Sequence, residues 1–395
     1  MPLSTYIASL KQFVQDHLTE DPAQLLFAHS GKTDFDLKAA VQQIQARQKT
    51  RQKLPSWAAH PDLIFPPSLS LEQASSEETA RFKSKILPKG KTMIDLTGGF
   101  GVDTFYLAEK FEKAIYCERN PELSAIVEYN FNLLQPDKFE FYQGDSLEYL
   151  SKSNLTFDLI FVDPARRGNH NQKLYKLADC EPDIVSHWVL LKSKGESILV
   201  KASPMLDIKQ AIAEISDIQQ VWVVSVKNEV KEILLFWEKG NVSNERIIHA
   251  VDLQSGGPNE FSFTYKEEES SESIFGEVSK YLIEPYSPIL KAGAFRSFGK
   301  RFGLKKLHPN SHLYTRNNLP DGIPGRIFEV IQEINNLKKE LKQLFPIGKV
   351  NVITRNYALS ADEFKKKYRL KDGGDSFLIG TKVGEKFVTL YCRLV

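Results

Sequence analysis

Cysteine is scarce in this chain, and its placement narrows the chemistry. Cys117, Cys180 and Cys392 lie far apart in 395 residues, which makes neither a disulfide framework nor a CxxC metal site. His308 and His312 have the i, i+4 spacing of a metal pair, but Pro309 interrupts it and no third ligand accompanies them, so no metal is expected. Also missing is any apolar run near the roughly 18 residues of a membrane span, or a basic start followed by an apolar stretch. A cytoplasmic protein is expected. Net charge is only +2, so any basic surface must be local. No internal repeat is evident, and oligomeric state is not encoded legibly.

What is present is a globular composition, 42% hydrophobic and 26% charged, long enough for two or three domains. Tyr6, Leu10, Phe13, Val14 and Leu18, then Leu37, Val41 and Ile44, have helical spacing. The proline-rich segment RQKLPSWAAHPDLIFPPSLS reads as a linker, and residues 1–70 as a helical domain with that linker. In SLEQASSEETARFKSKIL, Ser75 and Glu78 have capping-box spacing at a helix start. From residue 92 to about 237, the runs TMIDL, AIYCE, FEFYQ, FDLIFVD, SILVKA, VWVVSV and EILLFWE alternate with helical stretches. That alternation predicts a mostly parallel sheet covered on both faces, with the last two runs paired as an antiparallel hairpin at its edge. Residues 241–275 are polar and include the acidic run KEEESSES, read as a solvated loop and domain boundary. GRIFEVIQEINNLKKELKQLF carries a 3.6-residue period, and VNVITRN, SFLIGTKV and FVTLYCRL read as strands.

The chemistry concentrates at strand ends. MIDLTGGFGVD places Asp95, Thr97, Gly98, Gly99, Gly101 and Asp103 where a first strand gives way to a helix. Glycines there let a ligand approach the backbone. The third glycine of a dinucleotide fingerprint is missing, and an acidic strand end suits a ligand with a cationic end such as S-adenosylmethionine. Glu118 and Arg119 end the next strand, with Glu118 twenty positions beyond Gly98 to accept both ribose hydroxyls. Asp145 and Ser146 follow the third strand, either meeting an adenine ring or capping a helix. The fourth strand ends in Asp163, Pro164, Ala165, Arg166 and Arg167. A carboxylate beside a rigid proline can orient a methyl acceptor, pair with a neighbouring arginine, or leave the arginines for phosphate. No cysteine follows directly that would serve ring-carbon methylation, and Cys180 reads as structural.

DLTGGFGVD, ERN, GD and DPARR resemble, in order, motifs I to IV of class I S-adenosylmethionine-dependent methyltransferases. KLPSW, LEQASSEETARFK, LADCEPD, EPYSPILKAGAF and NVITRNYALSADEF extend the resemblance over nearly the whole chain, to a bacterial methyltransferase family with a THUMP-like C-terminal domain. The resemblance implies an α/β fold: a Rossmann-like seven-stranded methyltransferase sheet over 71–240, a basic ferredoxin-like α+β region over 241–322 and a THUMP-like domain over 323–395. It implies that Asp95, Thr97, Gly98, Gly99, Gly101, Asp103, Glu118, Arg119, Asp145, Ser146 and Asp163 bind S-adenosyl-L-methionine. Asp163, Pro164 and Arg166 would then serve catalysis. Amine methylases of bases typically carry an aromatic residue after Asp-Pro-Pro, whereas this chain has Ala165 and Arg166.

Lys291, Arg296, Lys300, Arg301, Lys305, Lys306 and Arg316 interleave with Phe295, Phe298, Phe302 and Tyr314. Together with Arg166 and Arg167 these cations are candidates for RNA phosphates, although the three phenylalanines also have the spacing of a helix core. THUMP domains are associated with RNA-modifying enzymes, so the expected activity is methylation of a nitrogen in a tRNA or rRNA base. The rival readings are a small-molecule or protein methyltransferase, for which residues 276–395 are dispensable to catalysis, and a non-catalytic RNA-binding protein.

Overall fold

The computed structural model describes residues 7–166, 176–241, 245–319 and 321–395, with Arg166 described as backbone. The chain divides into two compact units, residues 1–219 with 233–243, and residues 220–232 with 244–395.

The first unit opens with helices α1 (Ala8–Asp16), α2 (Pro22–His29), α3 (Leu37–Thr50), α4 (Pro55–Ala59) and α5 (Ser68–Gln73), then α6 (Glu77–Ile86). Asp21 and Asp36 cap α2 and α3 by accepting backbone N–H bonds, the ordinary use of aspartate at that position. For α6 the cap is Ser76, whose Oγ accepts from the Thr79 amide. The expected Ser75–Glu78 box is therefore corrected by one residue, which frees Ser75 for other work. The proline-rich segment is a packed strap: Leu54, Trp57, Leu63, Ile64 and Phe65 are buried. Arg47 of α3 donates to the carbonyls of Ala58, His60, Pro61 and Leu63. Gln43 and Asn130 each exchange two bonds with strap backbone, at Phe65 and Ile64. Proline-rich chain cannot satisfy its own backbone, and these side chains do so.

Next come β1 (Gly90–Asp95), α7 (Val102–Leu107), β2 (Phe111–Glu118), α8 (Pro121–Leu134), β3 (Phe139–Gln143), α9 (Ser146–Lys152) and β4 (Leu159–Val162). A short ribbon of β5 (Ala165–Arg166) and β6 (Cys180–Glu181) follows, then α10 (Trp188–Lys194), β7 (Ser197–Ala202) and α11 (Ile208–Glu214). The strands β1 to β4 and β7 are parallel in the order β7-β4-β1-β2-β3, and residues 233–238 of β9 (Glu229–Glu238) run antiparallel beside β7. Every residue of β4 and β7 is buried, as expected for strands in the middle of a parallel sheet covered on both faces.

In the second unit β8 (Gln220–Val226) turns at Lys227 and Asn228, both at positive φ, into the start of β9. All seven runs expected as strands are strands. Within this unit β8 is not an edge strand: β10 (Ile247–Gln254) runs parallel beside it and pairs antiparallel with β11 (Gly257–Phe263). The polar segment expected as loop is thus two strands and a helix, α12 (Tyr265–Ser270). Its polarity reflects an outer strand whose residues alternate between burial and solvent.

A second sheet has the order β12-β14-β15-β13-β16-β19-β18-β17. In chain order its elements are β12 (Ile274–Phe275), β13 (Tyr281–Pro285), α13 (Ser287–Ala292), α14 (Arg296–Phe302), β14 (Lys305–Lys306) and β15 (Tyr314–Arg316). After these come β16 (Gly325–Glu333), α15 (Leu337–Leu344), β17 (Asn351–Arg355), α16 (Ala361–Tyr368), β18 (Ser376–Val383) and β19 (Lys386–Leu394). The helical reading of 325–345 holds only from Leu337. Before it lies β16, paired antiparallel with both β13 and β19, with a register irregularity between Val330 and Gln332.

Candidate active site

β1 stops at Asp95 because the chain must turn sharply, and three glycines make the turn possible. Gly99 and Gly101 have φ of 55° and 78°, a region that L side chains avoid. Gly98 lies on the ring of Tyr116: a Cβ there would stand 2.1 Å from a ring carbon. The Tyr116 hydroxyl donates to the Gly99 carbonyl at 2.5 Å, and the Gly98 amide donates to the Cys117 carbonyl. The loop is therefore pinned to β2 from beneath. Above Gly99 the space is open, with only the carbonyl of Thr97 near a Cβ position, at 3.8 Å.

Asp95 is 1% exposed. Its carboxylate accepts from the Thr97 amide at 2.8 Å and the Thr104 hydroxyl at 2.5 Å. Burial pushes its carboxyl up to about 7, against the hydrogen bonds from Thr104 and Thr97. Asp95 thus braces the loop from inside. Thr97 in turn accepts from the Asp163 amide at 2.6 Å, which ties the end of β4 to the glycine loop.

Glu118 ends β2 half-buried. One oxygen accepts from the Gly99 amide at 2.9 Å and the other from Asn120 at 2.8 Å, so each retains accepting capacity. Asp145 caps α9 through the Leu147 and Glu148 amides, while its other oxygen meets Arg119 at 2.6 Å. The Glu148 amide heads the causes that hold its carboxyl below the usual range, with Arg119 contributing. The capping alternative for Asp145 is thus present. Arg119 also reaches Glu181 at 2.5 Å. Ser146, the first residue of α9, is buried.

Asp163 follows β4, with Pro164 buried behind it. About a third of the Asp163 side chain is exposed, and its carboxylate meets Lys201 of β7 at 2.6 Å. Desolvation raises its carboxyl above the ordinary value, opposed chiefly by Lys201. Among the described residues its ion-pair partner is this lysine, which the sequence reading passed over. Lys201 also reaches Asp103 at 3.1 Å and Ser75 at 3.0 Å. Asp103 further meets Lys83 at 3.1 Å and accepts from Ser75 at 2.7 Å. Despite desolvation, the two lysines hold the Asp103 carboxyl well below the usual range. Asp103 therefore faces this buried charge cluster. A lone lysine ending the apolar run SILVKA, and Lys83 on the buried side of α6 with Ala80, were the available signals.

Arg167 lies outside the described residues, and the Arg166 backbone pairs with Cys180. In the second unit, Arg296, Lys300 and Lys305 are exposed and Lys291 is half-buried. Three of the proposed RNA cations do structural work. Lys306 is 4% exposed and donates to the Pro309 carbonyl. Arg301 spans the Ser262 carbonyl and Glu267. Arg316 caps α14 through the Phe302 carbonyl. Phe298 is fully buried, its ring packed at a tilt against Phe302 and Tyr314. His312 packs on Phe295 at 3.9 Å, and His308 contacts Asn356. Among the described residues no group of three or more His, Cys, Asp or Glu is arranged to hold a metal ion, and no helix is long and apolar enough to cross a membrane.

The open face of Gly99, the loop pinned on Tyr116 and the two-oxygen acceptor at Glu118 fit the methionine and ribose portions of S-adenosylmethionine. Comparisons with known proteins point to the same cofactor. Residues 281–324 match a ferredoxin-like domain family and residues 325–394 a THUMP domain-like family. A protein of Porphyromonas gingivalis W83, assigned as a methyltransferase, has a crystal structure 34% identical to this chain. It covers 98% of both chains with a TM-score of 0.88. An S-adenosylmethionine-dependent methyltransferase of Mycobacterium tuberculosis H37Rv is 24% identical over 82% of this chain and 87% of its own length. An RNA methyltransferase of Mycoplasma mobile is 30% identical over 29% of this chain and 28% of its own. The chain belongs to the S-adenosylmethionine-dependent methyltransferases that carry ferredoxin-like and THUMP-like domains.

Proposed function

We propose that this cytoplasmic methyltransferase acts on a nitrogen of a tRNA or rRNA base held over Asp163 and Pro164. The observation that carries this reading is the bond from the Asp163 amide to Thr97. It ties the backbone at Asp163, whose carboxylate is about a third exposed, to the loop suited to the methyl donor, an arrangement that would let donor and acceptor be aligned.

S-adenosylmethionine supplies a methyl group activated by its sulfonium. Glu118 would hold the ribose, and Gly98, Gly99 and Gly101 would leave room for the methionine end. Asp163 accepts a hydrogen bond from the acceptor N–H and so directs the nitrogen lone pair. Asp163 would then take the proton displaced from the acceptor nitrogen and pass it to water. Pro164 restricts Asp163 to extended backbone, which limits the directions its carboxylate can take.

Support for RNA comes from the THUMP domain-like match over 325–394 and from the exposed Arg296, Lys300 and Lys305. Phosphate contacts from such cations bind without reading sequence. Incubation with tritiated S-adenosylmethionine and separated RNA pools, followed by nuclease digestion and mass spectrometry, is expected to yield one labelled base. Label in protein or small molecules, with none in any RNA pool, would overturn the reading.

A further inference from the structure

β7 reads SILVKA, five apolar or small residues and one lysine. Its pairing with β4 sets Phe161 opposite Leu199 and Val162 opposite Val200, so the next step of the register puts Lys201 beside Asp163. Both side chains emerge where the parallel strands end, the usual location of ligand sites in such sheets. The Lys201 side chain is 10% exposed, and an ammonium so enclosed is tolerated only when paired.

The charged and polar groups near it come from several elements. α7 contributes Asp103, α6 contributes Lys83, the residue stretch before α6 contributes the Ser75 hydroxyl and the tip of β4 contributes Asp163, while Asp95 of β1 interacts electrostatically with Asp103 and Asp163. Asp103 already has a fully buried ammonium in Lys83 and a hydroxyl in Ser75. Neutralising Asp103 therefore does not require a second lysine. The shortest charged contact of Lys201 is instead to Asp163, at 2.6 Å, the member of the set that retains substantial exposure. Asp103 and Ser75 also hold the ammonium, and among the described residues Lys201 is the ion-pair partner of Asp163.

We propose that Lys201 is a positioning residue for methyl transfer: it fixes the orientation of the Asp163 carboxylate and keeps it ionised as it faces the acceptor. This rests on Asp163 being the acceptor-facing group. The ion pair does so because an opposite charge at this distance favours the charged carboxylate, and enclosure that would otherwise protonate it strengthens the pair. The Lys201 contact also withholds one oxygen from the acceptor and leaves the other to it.

The test uses full-length protein labelled with carbon-13 at aspartate carboxyls, with Asp163→Asn identifying the Asp163 signal. In Lys201→Met the Asp163 titration is expected to move to higher pH. Lys201→Arg, which keeps the charge, should return it toward the wild-type position. Lys83→Met removes a buried ammonium whose ion pair is with Asp103, and should shift Asp163 less while lowering stability. On any acceptor the enzyme labels, Lys201→Met should lower kcat about a hundredfold near neutrality and move the acid limb of the pH profile upward, with S-adenosylhomocysteine affinity by calorimetry near wild type. An unmoved Asp163 titration in folded Lys201→Met overturns the proposal, as does an equal shift in Lys83→Met. If no RNA is labelled even by wild type, the reading of the acceptor fails, while the carboxyl titration still decides the role of Lys201.

Discussion

At the scale of single residues, the site is built from carboxylates with different neighbours and correspondingly different behaviour. Asp103 is held ionised by two lysines. Asp95 has hydroxyl and amide donors but no cation, and burial dominates. Its folded-state value of about 7 lies above the ordinary 3.8, so the folded chain binds this proton more tightly than the unfolded chain does. The stabilisation is therefore complete below pH 3.8 and is lost as pH rises to about 7. Asp95→Asn removes that loss. Urea denaturation between pH 4 and 7 is expected to fall less steeply in the variant, by at most about 1.4 kcal/mol per pH unit; an unchanged slope would place the Asp95 carboxyl at an ordinary value. The glycine loop and its acidic neighbours were legible in the sequence because their spacing is local. Lys201 and Lys83 were not, because a lone lysine in an apolar pattern signals burial without naming its partner 98 or 20 residues away.

At the scale of elements, the misreadings have specific causes. Residues 325–345 carry a helical period although the first part is β16. The register irregularity between Val330 and Gln332 breaks the alternation that would mark a strand, and apolar residues on either side then mimic a helix. The acidic run KEEESSES was read as solvated loop because a run of like charges usually marks a solvated segment. In the fold Glu268 accepts from the Phe295, Arg296 and Ser297 amides and from the Ser297 hydroxyl. It caps α14 from a distance of 28 residues, a relation invisible to any local window. Glu268→Ala leaves those amides without their acceptor and is expected to cost about 1–2 kcal/mol in denaturant unfolding. Glu269→Ala, one residue along, should cost far less.

At the scale of the whole molecule, the chain enters the second unit at residue 220, returns to the first at 233 and leaves it again after 243. A single cut cannot separate the two units, which no boundary drawn from composition revealed. Within the second unit α13 packs on β8 and β10, and the Ser287 amide donates to Asn228 in the β8–β9 turn. Removing residues 276–395 therefore strips a helix from strands that remain. The shortened protein is expected to lose its sharp thermal transition and to bind an apolar dye. A fragment that melts cooperatively and binds no dye would show those strands to be stable by themselves.

If the glycine loop holds the methyl donor as proposed, the proline-rich strap gives the N-terminal segment a part in that binding. Trp57 meets Phe100, Phe105 and Phe131 edge-on, and Phe65 lies against Phe100, the residue between Gly99 and Gly101. Bulk lost from this aromatic wedge would slacken the turn from the rear, so changes far upstream in the polypeptide register as altered grip on the methyl donor.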